Sequence, residues 1–440
     1  MNVHPQLAST PTLGGLLQER PAITAGTVGW LNRLRLDAAA RVDQLNLPTT
    51  RDEDWRFTDL APLLKFSFRP VYDAPRLTLA DVQRFSVPEA VQRLVFADGH
   101  YIPALSTPTA VSGVTVINLA EGLSRHGVTA HAHLARHADF QRNLFSALNT
   151  SALQDGALVI IGKDYADAAP IHLLFIAGAQ DAPVVNYPRV LVVTEAHSRC
   201  TLIEDYVSLA EQVYFTDAVS EIAVGEHAHV RHVRLQRESR AAFHIAHGAV
   251  SVAHGGVYAS TAVTLGARLS RLDLHVQQNG EGMDCTLDGL ALIAGRQLAD
   301  THSTMDHAQP RGKSMQLHKC IVDGAAHAVF NGKIGVRAGA QLTDAQQSSR
   351  NLLLSEQARV DTKPQLEIFA DDVKCAHGAT VGQLDAEELF YLKSRGLDEA
   401  TARNLLTYAF AAEIIDKIPV ASLKQQLRRS VLNQTRTAAL

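Results

Sequence analysis

The chain has 440 residues, 46% of them hydrophobic and 20% charged, with 41 basic against 45 acidic side chains and a formal net charge of -4. That composition belongs to a soluble globular protein rather than a disordered one, and the length calls for two or three domains rather than one core. The slightly acidic balance removes the electrostatic basis for general nucleic-acid binding, so no nucleic-acid partner is expected.

The opening stretch, MNVHPQLASTPTLGGLLQERPAITAG, lacks the basic segment and apolar core of a secretory signal. Nor does any uninterrupted apolar run reach the roughly 18 residues that span a bilayer. The first 60 or so residues read as helical with a loop end. Val28 to Leu45 places Leu31, Leu34, Ala38 and Val42 at spacings of three and four, one apolar stripe on a helix. Leu47, Pro48, Thr49 and Thr50 stop it, and the acidic-aromatic element WRFTDL follows, its Trp55 expected to anchor this arm on the body by packing.

Between Leu77 and Leu119 a short helix alternates with short strands, and LVFADGHYIPAL reads as a hairpin closed around Asp98 and Gly99. His131 to Ala152 reads as helix again, with Leu134, Phe140, Leu144 and Leu148 on one side. Residues 1–152 thus form a mixed, mainly helical N-terminal region.

From residue 153 to 378 the character changes. ALVIIG, IHLLFIAG, RVLVVTE, AVSEIAV, HVRHVRL, LSRLDLHV and LALIAG are short, rich in Val, Ile and Leu, and separated by turns. These are strands. Turn-then-strand phrases such as EAHSRCTLIE, GEHAHVRHVRL and GARLSRLDLHV recur at irregular spacing, a weak internal repeat. With no long helices between the strands, a doubly wound sheet is excluded. A right-handed parallel β-helix fits better than a sandwich, so the expected class is mainly β: a β-helix core flanked by helical N- and C-terminal regions.

Residues 379–440 turn helical. Asp385 followed by Glu388 has capping-box spacing, and Gly396 ends that helix. Asp398 caps the next, which runs to about Ile418 ahead of Pro419 and carries Ala402 and Glu413. Its apolar stripe, Leu405, Leu406, Ala409 and Phe410, is expected to pack on the first helix while leaving a face for a partner.

Reactive side chains are densest in VDTKPQLEIFADDVKCAHGATVGQLDAEELFYLKSRG, residues 360–396, at the junction of strands and helices. Cys375 and His377 are two apart, so on an extended chain both face one way and could bind one metal centre. The residues alone equally allow a strand edge with a half-buried cysteine and a solvated histidine. Other groups compete. Asp300, His302, Asp306 and His307 superficially resemble metallohydrolase elements, but their spacing favours structural polar ladders. His318 and Cys320 share a face, yet Cys320, like Cys200 and Cys285, reads as a core cysteine. His227, His229, His232, His244 and His247 read as solvated strand faces. The four cysteines lack C-x-x-C spacing, which argues against a disulfide scaffold or zinc knuckle and fits a reducing cytoplasm. P-loop, G-x-G-x-x-G and G-x-S-x-G motifs are all missing, so any ATP requirement would be met by a partner.

The string KPQLEIFADDVKCAHGATVGQLDAEELFYLKSRG resembles the C-terminal signature of the SufB/SufD family of the Suf iron-sulfur cluster assembly machine. Glu53 to Leu60 (EDWRFTDL) resembles an element of its SufD branch, and LVFADGHYIPALS, QLHK (Gln316 to Lys319), AVFNG (Ala328 to Gly332) and Asn351 to Leu354 extend the likeness in order along most of the chain. The resemblance implies the same β-helix fold and a non-catalytic, cytoplasmic scaffold subunit. It implies a SufB-like sister subunit, a SufC-like ABC ATPase docked on the C-terminal tail, and a transient iron-sulfur cluster formed at the interface between the sisters. His377 and Cys375 match the C-x-H motif that contributes to it, and the remaining ligands must come from another chain. The family complex is also associated with reduced flavin and with iron acquisition, although nothing in this sequence marks a flavin site. A homodimer of the isolated chain is compatible with this reading. The rival is a β-helix enzyme acting on polysaccharide with Asp371, Asp372 and Lys374 as acid-base residues, against which stand the 6% aromatic content and the lack of a signal segment.

Overall fold

From Arg189 to Gly382 successive strands go alternately to two sheets, so each coil of the chain lays one strand on each sheet. The structure is a computed structural model that describes residues 16–17, 28–166 and 169–437. Most of the opening stretch, read above as helical, lies outside them. Among the described residues the sheets hold twelve and ten strands, and every pairing within the coils is parallel. The mainly β expectation holds, with a β-solenoid core and helices towards both ends.

The weak repeat becomes regular in three dimensions. In the ten-stranded sheet Arg199 pairs with His229, His229 with Val257, Val257 with Asp284, Asp284 with Lys313 and Lys313 with Asp344, steps of 27 to 31 residues. The step varies because turns between strands differ in length while the strands keep register. One apolar cluster runs between the sheets from Leu94 and Val116 through Leu202, Val230 and Tyr258 to Ala345.

The sheets begin before residue 153. Strand Gln92–Ala97 pairs with Ile171–Ala177, and Val114–Asn118 pairs antiparallel with Ala157–Ile161. The hairpin around Asp98 and Gly99 forms as expected, with Phe96 opposite Tyr101 and both turn residues at positive φ. Helix Gly29–Gln44 buries Leu31, Ala38 and Val42, but the aliphatic stem of Arg35 replaces Leu34 in its buried stripe.

The single helix expected over His131 to Ala152 is two, Gly127–His133 and Leu144–Ser151. The break has a cause: the buried carboxylate of Glu221 accepts hydrogen bonds from the backbone N–H groups of Ala135, His137 and Ala138 at 2.8–3.0 Å, with Ala135 in the left-handed region. Glu221 also pairs with Arg189 at 2.5 Å, and Arg189 donates to Asn149 and Thr150. This buried network pins the N-terminal helices to the twelve-stranded sheet.

The arm carrying WRFTDL lies on the same sheet. The Arg271 guanidinium stacks over the Trp55 ring at 4.0 Å, donates to the Asp54 carbonyl at 2.9 Å and pairs with buried Asp300, which accepts from Thr58 Oγ1 at 2.6 Å. Trp55 packs on Phe145, so it anchors the arm as its residue type led one to expect.

At the other terminus Asp385 and Asp398 cap their helices, accepting from Glu387 and Glu388 and from Thr401, and Gly396 is at φ +94°. The expected stripe on Glu399–Ile415 is corrected. Leu405 and Ala409 are exposed, Leu406 and Phe410 half-buried, and the packed face is Ala402, Ala411, Ile414 and Ile415. That face meets the outer surface of the ten-stranded sheet at Ile203, Val233, Leu290 and Ile321, which selects the side of the helix that sequence periodicity left undecided. Each buried isoleucine contributes about 1.5–3 kcal/mol.

Two outcomes follow for the buried charges. Removing one partner of a buried pair strands the other, so Glu221→Ala should destabilise the protein by about 3–5 kcal/mol, read as a lower urea midpoint. Asp300 is held at about 2 against an ordinary 3.8, burial being opposed by Arg271 and His302. A carboxyl with a depressed folded pKa stabilises above its unfolded pKa and loses that contribution as pH falls through the folded value. Between pH 4 and pH 2 the wild type should therefore lose about 2 kcal/mol at this site, and urea midpoints of Asp300→Asn should show that portion of the pH dependence flattened.

Candidate functional site

The last coil differs from every coil before it. Strands Arg359–Ile368 and Val373–Gly382 are the terminal strands of their sheets. Among the described residues each pairs on one side only, with His327–Val336 and Thr343–Leu353 respectively. Their residues are half-buried or exposed throughout, whereas the preceding strands alternate or are fully buried. The solenoid therefore ends in two open parallel edges, each presenting unpaired backbone donors and acceptors.

Cys375 and His377 both lie on the final strand, opposite Ala345 and Gln347 of the preceding coil. The same-face expectation holds through the pleat: Cys375 packs against the interior cluster, and His377, two residues on, follows it to the open end where it is exposed. Behind them runs a ladder of side-chain amides, Gln347 donating to Gln316 at 2.9 Å and Gln316 to Ser303 at 2.7 Å. Buried Asn331 and Gln347 each keep a carbonyl oxygen with no protein partner. The interior beneath the open coil is thus polar as well as apolar, as it is farther back where buried Glu204, His232 and Arg234 meet. Sequence reading missed this ladder because one glutamine per coil has no local signal.

Of the four cysteines, Cys200, Cys285 and Cys320 are buried core residues, as read from the sequence. Burial pushes the thiols of Cys200 and Cys320 up to about 12 and that of Cys285 higher still. Cys375 alone is half-buried. Its thiol is also raised, first by partial burial and then by the Asp344 carboxylate on the adjoining strand.

The competing clusters resolve as structure. Asp300 and His302 pair at 3.0 Å within the Arg271 network, His307 bonds Gln278 and Ser314, and Asp306 pairs with Arg337. These are the polar ladders expected of that stretch. His318 is buried with its ring stacked on Phe330 at 4.4 Å, and burial lowers it to about 4. The reading of the histidine run as solvated faces is corrected in part. His232 pairs with buried Glu204 at 3.0 Å, His244 with Glu238 at 2.7 Å, and His247 is half-buried. The carboxylate of Glu204 comes from the neighbouring coil, which a linear sequence does not place, whereas Glu238 lies six residues before His244. Asp371 and Asp372 sit exposed on the turn before the final strand, and Lys374 alternates to the face opposite Cys375.

Around the open coil stand exposed apolar side chains: Ile368, Phe369 (70% exposed) and Val381 on the edges, and Phe390 (74%) and Tyr391 on helix Ala386–Ser394, which buries none of its own residues. Glu53 of the N-terminal arm reaches Lys363 of the penultimate strand in an ion pair. Among the described residues no helix is long and apolar enough to cross a membrane.

Comparison with known proteins bears on this end of the molecule. Residues 175–410 match the family described as SUF system FeS cluster assembly, SufBD core domain, and residues 16–173 match the SufBD protein N-terminal region. An iron-sulfur cluster assembly SufBD family protein of Synechocystis is 42% identical over 95% of this chain and 94% of its own length. The iron-sulfur cluster assembly protein SufD of Escherichia coli is 35% identical over 87% of this chain and 88% of its own. The Arabidopsis thaliana chloroplastic protein ABCI7 is 31% identical over 91% and 85%. Two family matches that together run from the N-terminal arm past the open coil, and relatives aligned over nearly their whole lengths, establish that this chain belongs to the SufBD family of iron-sulfur cluster assembly proteins.

Proposed function

We propose that this chain is a non-catalytic scaffold subunit that pairs through its open coil with a SufB-like sister solenoid, and that Cys375 and His377 supply part of the ligand set of a cluster assembled in the seam. The observation that carries this reading is the placement of both residues on a terminal strand that is paired on one side only among the described residues. One thiolate and one imidazole cannot complete a four-ligand iron-sulfur site, and an open edge is where another chain adds its own strands and ligands. The exposed Ile368, Phe369 and Val381 would be covered by the same contact. In the isolated chain the edge would also allow pairing with a second copy.

The raised Cys375 thiol fits an assembly site rather than a resident one. Held protonated at neutral pH by partial burial and Asp344, it would lose its proton only when iron arrives, since a metal ion offsets the cost of the thiolate. An imidazole partner releases more readily on protonation, which suits a cluster that is handed on.

Residues 379–440 would dock a SufC-like ABC ATPase, residues 1–152 would brace the core and residues 153–378 would carry the seam. The helical tail is held firmly to the ten-stranded sheet: Lys319 pairs with Glu413 and donates to the Phe410 carbonyl, and Lys417 meets Asp288 at 2.6 Å. Strain applied at the exposed Phe390 and Tyr391 would thus reach the solenoid. A chain without a P-loop has to borrow nucleotide hydrolysis from such a partner. A cytoplasmic setting agrees with unpaired cysteines.

His377→Ala should lower iron and acid-labile sulfide recovered on the anaerobically purified complex at least tenfold, with unchanged partner recovery and circular dichroism. Normal cluster loading by this variant would overturn the role given to His377. In the free chain a maleimide should label Cys375 and leave Cys200, Cys285 and Cys320 until urea unfolds them. Labelling at pH 8 should be slower than for a small-molecule thiol and should be blocked by the sister subunit. Undiminished labelling in the complex would place the seam elsewhere.

A further inference from the structure

At the corner where the chain passes from the twelve-stranded to the ten-stranded sheet, six successive coils each have one residue in the left-handed backbone region: His197, His227, Gly255, Gly282, Arg311 and Leu342. The turns are stacked by backbone bonds, His197 N–H to Glu226 O, His227 N–H to His254 O and Gly255 N–H to Glu281 O, each 2.9 Å. Side chains at this corner therefore form a column at the strand spacing. The rings of His197 and His227 stack 5.2 Å apart at 11°.

The third place in the column is a glycine, and its bareness is used. A Cβ on Gly255 would lie 2.3 Å from Nδ1 of His227 and 2.5 Å from its Cε1. The His227 ring thus leans across the space that a side chain at 255 would fill. There it meets His254, one residue earlier on that turn, with ring centroids 5.1 Å apart and nearly perpendicular. Glu226 adds a carboxylate oxygen 3.9 Å from His227 Nε2. One ligand atom from each of Glu226, His227 and His254 lies within 4.8 Å of the others, and all three residues are exposed.

We propose that Glu226, His227 and His254 form a site for a borderline divalent cation such as Zn2+, on the flank of the solenoid and apart from the open coil. Two imidazoles and a carboxylate suit zinc, with a fourth position left to water. Ligand atoms at bond lengths of roughly 2.0–2.1 Å around a tetrahedral ion stand about 3.3 Å apart. Exposed side chains close the remaining gap by rotation. Because Glu226 and His227 belong to one turn and His254 to the next, the ion would tie two consecutive coils together.

The test is a Zn2+ titration by calorimetry on the full chain carrying Cys375→Ser and His377→Ala, which removes the thiol-imidazole pair at the open coil and makes the result independent of the proposed cluster function. One Zn2+ per chain is expected, and adding His227→Ala and His254→Ala should weaken binding at least tenfold while circular dichroism stays unchanged. With Cu2+ as probe, the electron paramagnetic resonance spectrum should show coupling to two ring nitrogens, reduced to one in His254→Gln. An isotherm unaltered by the double substitution, a Cu2+ spectrum indifferent to His254→Gln, or no Zn2+ uptake at all would each overturn the site.

Discussion

A parallel strand satisfies its backbone hydrogen-bonding groups only when a neighbour lies on each side, and this molecule is built on that requirement. Each coil covers the edge left by the one before it, so the core is stabilised cumulatively and no coil buries its strands alone. At the start of the stack the requirement is relieved by antiparallel strands, Thr109–Val111 against Val114–Asn118 and His100–Tyr101 against Gln92–Ala97. At the far end nothing among the described residues relieves it, and the Arg359–Ile368 and Val373–Gly382 edges stay open. An open edge of this length is a hazard in a protein that works alone and an attachment surface in one that does not.

The two outer faces are occupied by different means. On the twelve-stranded sheet the N-terminal region is held by buried charge: Arg189 with Glu221, and Arg271 with Asp300 and the face of Trp55. Buried pairs of this kind offset their own desolvation only when every remaining donor and acceptor is used. Glu221 meets that condition with three backbone N–H groups. On the ten-stranded sheet the C-terminal helices are held by aliphatic packing of Ala411, Ile414, Ile415 and Leu423 together with ion pairs to buried Lys319 and Asp288.

Chemistry in this chain is graded by burial. Three cysteines are sealed in the core, where their thiols are too costly to ionise, and the fourth stands half-open on the last strand. Inside the solenoid His232 is committed to a carboxylate on the adjoining coil, and His244 and His302 to carboxylates a few residues away in the chain. Histidines left with open coordination lie at the surface, at the terminal strand and at the corner column.

The sequence by itself determined the element types, the mainly β class and the same-face relation of Cys375 and His377, because strand pleat, helix caps and turn residues act over a few neighbours. Asp385, Asp398, Gly396 and the Asp98-Gly99 hairpin all behave as their local chemistry requires. Family motifs made the identity legible as well. Only the tertiary structure decided which face of Glu399–Ile415 is buried, that Glu221 breaks the helix between His133 and Leu144, and that His232 and His244 are ion-paired inside. All but the His244 pair, whose Glu238 lies six residues away, depend on residues a coil or more away in the chain, and the register between coils arises from turns whose lengths vary. No local pattern announced that Glu226, His227 and His254 meet at one corner.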